Sequence, residues 1–77
     1  METRIENLKS EFSRLIAERD ETLNNWRASG ANYYRRDVAL EIKAEQLSVE
    51  IYKINQEIAP YRFYMQSNKE VIIKLDK

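Results

Sequence analysis

From Ile5 the apolar positions of this 77-residue chain run Ile5, Leu8, Phe12 and Leu15, in steps of three, four and three. The spacing predicts a helix over about residues 3–28 with a coiled-coil-like seam. The line continues through Leu15, Arg19, Leu23 and Trp26, where an extra step of four predicts a stutter that locally unwinds the seam. Arg19 would sit in that stutter, its aliphatic stem covering apolar surface and its guanidinium reaching water.

A stricter line follows. Tyr33, Asp37, Leu40, Ala44, Leu47, Ile51, Ile54 and Ile58 alternate steps of four and three without a break, which predicts a second helix over about residues 33–58. The same segment carries another apolar line, Tyr34, Val38, Ile42, Val49 and Tyr52, whose later members fall on the far side of the helix. One partner helix cannot cover both faces. The second helix is therefore expected to be central, with helix one on one side and either the C-terminal tail or a second copy on the other. Val38, Ile42, Val49 and Tyr52 are the candidate self-association residues, and the expected state is a homodimer.

Between the helices, Asn24, Asn25, Ser29, Gly30 and Asn32 crowd five poor helix formers into nine positions. Their summed cost relative to alanine is on the order of 3 kcal/mol. Gly30 suits the left-handed residue after helix one, and Asn32 suits the N-cap of helix two. A turn at 29–32, with Trp26 and Tyr33 closing the core beside it, gives an antiparallel helical hairpin. The alternative keeps the seam in phase through Trp26, Gly30 and Tyr33 as one continuous helix of some 55 residues. Such a rod would be about 80 Å long and would form a coiled-coil dimer.

Ala59-Pro60 ends the helical pattern, because proline disfavours helical geometry in the residue before it. Beyond it, Tyr61, Phe63 and Met65 alternate with Arg62 and Tyr64, and Val71, Ile73 and Leu75 alternate with Ile72 and Lys74, on either side of Ser67-Asn68-Lys69. This predicts a β-hairpin over about residues 61–75. A short final helix competes with it, since Ser67 and Glu70 have the spacing of a capping box. A lone hairpin is marginal in water. It is expected to lie on the second stripe of helix two or to pair with another chain. The fold class is thus mainly α with a short β-hairpin, in one domain spanning residues 1–77.

Composition narrows the function more than it defines it. The chain has no cysteine and no histidine, so thiol nucleophiles, Cys-based zinc sites and the commonest general base are all missing. Glu41 and Glu45 stand one turn apart, and Glu50 and Glu57 two turns, but Lys43 and Lys53 alternate with them as on a solvated face. One glycine cannot build a phosphate loop. No catalytic residue, metal ligand or cofactor is therefore expected, and the chain is not read as an enzyme. The absence of a basic, apolar leader or a long apolar run leads to an expectation of a cytoplasmic protein without membrane contact.

Thirteen basic and thirteen acidic residues cancel, and only residues 61–77 lean positive, with four against two. Tyr33-Tyr34-Arg35-Arg36 pairs stacking groups with guanidiniums, yet one basic pair in a neutral chain makes nucleic acid the weaker partner. Asp37 interrupts the second seam, either in the first turn, where the helix dipole favours it, or as an ion-pair partner of Arg36 or Arg27.

Aromatic and arginine residues, the types enriched in interface hot spots, cluster at two places: Trp26 to Arg36, and Tyr61 to Tyr64. Tyr34, Arg35, Arg36, Arg62 and Tyr64 are the candidate partner-binding residues. The expected function is that of a small interaction module, an adaptor or inhibitor of a larger protein, in the class that includes phage-type host-modulating proteins. A nucleic-acid-binding regulator or a structural coiled-coil component are the alternatives.

Overall fold

The computed structural model describes residues 2–30 and 37–76. Two helices, α1 (Glu2–Ala28) and α2 (Val38–Glu57), are followed by two strands, β1 (Tyr61–Met65) and β2 (Val71–Leu75). The helices pack antiparallel: Arg4 pairs with Glu57 at 3.3 Å at one end, and Glu18 approaches Lys43 at 4.0 Å further along. In both pairs the residue numbers sum to 61, so one register holds over this length. The longest dimension is 47 Å, well short of the about 80 Å of a 55-residue rod, so the continuous helix is excluded.

The buried seam of α1 comprises Leu8, Phe12, Leu15 and Thr22, with Ile5 exposed at the open end. Here the structure corrects the predicted stutter. From Leu15 the inward line passes through Arg19 to Thr22, not Leu23, so the steps of four and three continue unbroken. Thr22 is 3% exposed, and its hydroxyl donates to the Glu18 carbonyl at 2.8 Å. That bond satisfies the hydroxyl inside its own helix, which is how a polar residue occupies a core position. Arg19 is half-buried, with its Nε unpaired and covered.

Helix α1 ends as a glycine terminus should. Gly30 has φ +78° and its N–H donates to the Arg27 carbonyl at 3.2 Å, the shorter bond of a Schellman-type cap. Asn32 and Tyr33, two of the expected turn residues, lie outside the described residues. Helix α2 starts later than the periodicity predicts. Asp37 is its N-cap, in extended geometry at φ −88° and ψ 94°, and its carboxylate accepts from the Leu40 N–H at 3.2 Å. Asp37 is thus neither a seam residue nor part of a helical first turn. A short side-chain acceptor at this point stops the helix from running back along the seam phase.

Ala44, Leu47, Ile51 and Ile54 on the inner face of α2, and its C-cap Ile58, are buried on the side of α1. After Ile58 the chain passes a cis Ala59–Pro60 bond into the antiparallel hairpin, registered Tyr61↔Leu75, Phe63↔Ile73 and Met65↔Val71. The turn is Ser67-Asn68-Lys69, closed by Lys69 N–H to Gln66 O at 2.9 Å and Gln66 N–H to Glu70 O at 2.8 Å. Lys69 takes the left-handed conformation, φ +66°, at the third loop position, the pattern of a three-residue hairpin loop. No final helix forms.

The hairpin does not lie on the second stripe of α2. Its Phe63 packs into the helix–helix core, ring centroid 5.4 Å from that of Phe12, with Val71, Met65 and Ile16 around it. The physical reason is that the odd-numbered side chains of the hairpin share one face, and Phe63, Met65 and Val71 of that face cover one side of a two-helix core too small to seal itself.

Candidate interaction surfaces

Placing the hairpin on the core leaves the outer face of α2 uncovered. Val38, Ile42, Val49 and Tyr52 are 56, 50, 47 and 63% exposed. They lie about 160° around the helix from the seam that meets α1, given 100° per residue. Together with Glu45 they repeat the steps of four and three, so α2 carries two seams of which the described residues cover one. A shallow groove on this face is lined by Ile42, Glu45, Val49 and Lys53 among others.

The sheet supplies the second surface. Its even-numbered residues face away from the helices, where Arg62 and Lys74 flank Tyr64 with their cationic groups 5.5 and 5.8 Å from the ring centroid. The Tyr64 hydroxyl donates to Asp76 Oδ1 at 3.3 Å. Pairing across the strands explains the arrangement, because Arg62 stands opposite Lys74 and Tyr64 diagonally between them. Two like charges tolerate each other there because an electron-rich ring face lies against each. Lys74 is a member of this cluster that reading the sequence missed. Only the hairpin register, Arg62↔Lys74, could have pointed to it.

Of the sequence-predicted partner-binding residues, the structure thus brings Arg62 and Tyr64 together on one exposed face. Phe63, in the same aromatic run, turns inward and is 2% exposed. Tyr34, Arg35 and Arg36 lie outside the described residues. Trp26, expected to close the core at the turn, is half-buried, and its Nε1 is covered without a hydrogen-bond partner.

Chemically, the described residues form no group of three or more His, Cys, Asp or Glu able to hold a metal. Among them, no helix is long and apolar enough to cross a membrane. Compared with known proteins, the chain matches no family model, no curated protein and no solved structure.

Proposed function

We propose that the chain is a small protein-interaction module that works as a homodimer and modulates a larger protein by occupying its surface. The observation that carries this reading is the outer face of α2, four half-exposed apolar side chains at helical-seam spacing. Apolar stripes of this regularity are the docking face of another helix. The occupant is α2 of a second copy, since it presents the same complementary stripe and an isologous contact needs no other sequence.

The partner protein is met by the sheet. Arg62 and Tyr64 offer an aromatic group and a guanidinium already held in place, so little side-chain entropy is lost on binding. The mechanism is steric or competitive, as fits an adaptor or inhibitor acting without catalysis or cofactor. The charged, aromatic face also supports a second reading, single-stranded nucleic acid stacked on Tyr64. It is the weaker one, because a chain of net charge zero releases few counterions.

Light scattering tests the dimer: the pair Ile42→Glu and Val49→Glu should abolish the α2 contact while leaving the helical signal intact. Affinity capture from the native lysate, repeated with Arg62→Ala and Tyr64→Ala, tests partner contact. Unchanged capture by that double variant rejects the sheet site. A gel shift at physiological salt that disappears with the same double variant would move the assignment to nucleic acid.

A further inference from the structure

We infer that β2 is a self-complementary edge strand, through which two copies of this chain join antiparallel into one four-stranded sheet. The inference is independent of the α2 contact and adds a second interface to it, so that dimers joined through α2 associate further through β2.

Two hydrogen bonds at the ends of the hairpin fix which backbone groups face which way. Gln66 N–H donates to Glu70 O at 2.8 Å, and Asp76 N–H to Pro60 O at 2.8 Å. In an antiparallel ladder hydrogen-bonded pairs recur every second residue, so the even-numbered residues bond one another and the odd-numbered ones point outward. On β1 two of the outward N–H groups are taken. Tyr61 donates to Ile58 O at 2.9 Å, and Phe63 to Asn55 Oδ1 at 2.9 Å. On β2 the outward groups of Val71, Ile73 and Leu75 have no partner among the described residues. Ile73 and Leu75 are also about half exposed.

Such an edge is a template for another strand, and proteins usually protect it with charge, proline or a covering element. Here the charges specify a partner instead. The segment reads Glu70-Val71-Ile72-Ile73-Lys74, acidic at its start and basic at its end. Laid antiparallel on itself about Ile72, it sets each Glu70 opposite a Lys74, Ile72 opposite Ile72, and each Val71 opposite an Ile73. This register also opposes odd residues to odd, as the outward backbone groups require. Centring on Ile73 would oppose Glu70 to Asp76, and centring on Lys74 would oppose two lysines. Cross-strand pairs of opposite charge stabilise and like pairs destabilise, so one register is selected.

Charge reversal and cysteine cross-linking in the whole chain test this. Lys74→Glu and Glu70→Lys should each weaken self-association, by about tenfold given two reversed pairs, and mixing the two variants should restore it. Because the natural chain has no cysteine, Ile72→Cys should give a disulfide-linked dimer under mild oxidation, since directly opposed residues that are not hydrogen-bonded approach to about 4.5 Å. An exposed control, Asp20→Cys, should link far more slowly. The Ile72→Cys link should persist with Ile42→Glu and Val49→Glu present, which separates this interface from the α2 contact. Equal cross-linking of the two cysteine variants, or no gain on mixing the charge variants, would overturn the inference, and so would loss of the Ile72→Cys link in the α2 variant.

Discussion

Asn55, in the last turn of α2, reaches across to β1, and its side-chain oxygen accepts the Phe63 N–H at 2.9 Å. This bond, beside the packing of Phe63 on Phe12, ties the hairpin to the helical layer and occupies an outward donor of β1. A part-buried N–H left without a partner costs about 1–3 kcal/mol. Asn55→Ala should therefore lower Tm by several degrees, as each 1 kcal/mol moves a domain of this size by about 4–8 °C. Asn55→Asp, which keeps an acceptor, should retain most of the stability. Thermal melts followed by circular dichroism decide it. Equal melting of the alanine variant and the parent would show that the bond contributes nothing.

Thr22 offers a test in the opposite direction. Its hydroxyl is buried, and among the described residues it bonds only to the Glu18 carbonyl of its own helix. Thr22→Val keeps the shape and removes a polar group that, among the described residues, makes no hydrogen bond across the interface. The expected gain is on the order of 1 kcal/mol, the value of a buried methyl. Chemical denaturation should show a raised midpoint with an unchanged slope; a lowered midpoint would mean the hydroxyl has a use beyond its own helix.

These two residues also mark where the sequence was legible. The inner seam from Leu40 to Ile58 was readable because six strictly spaced positions admit one period. The strands were readable because β-branched and aromatic residues alternate on both sides of a turn. Thr22 was not, since counting apolar letters passes over a threonine and takes Leu23 one residue later. The placement of the hairpin was also hidden. Its odd-numbered face suited either side of α2, and the choice rests on Phe63 meeting Phe12, a long-range contact that no local pattern encodes. Lys74 joined Arg62 and Tyr64 only through strand register.

The start of α2 makes a third prediction. If Asp37 acts as a cap, its acceptor oxygen matters and its charge does not. Asp37→Ala should cost about 0.5–2 kcal/mol, while Asp37→Asn and Asp37→Ser should lie close to the parent. Were the residue held by an ion pair, Asn would fall with Ala, and its loss would shrink in high salt. Denaturation of the three variants at low and high salt distinguishes the two roles.

The hairpin turn provides the last. Lys69 holds φ +66°, a conformation that costs an L-residue roughly 1–2 kcal/mol and glycine almost nothing. Glycine in turn loses more freedom on folding, by about 0.5–1 kcal/mol relative to alanine. The difference leaves Lys69→Gly a net gain on the order of 0.5 kcal/mol. Lys69→Val should lose stability, because a β-branched side chain is the least able to adopt a positive φ. Both residues remove the same charge, so their comparison isolates the backbone. Since Phe63 and Val71 carry the hairpin into the core, the change should appear in the global unfolding transition as well as in the turn. Melting of the Gly and Val variants at the same temperature would show that the turn opens independently of the helices.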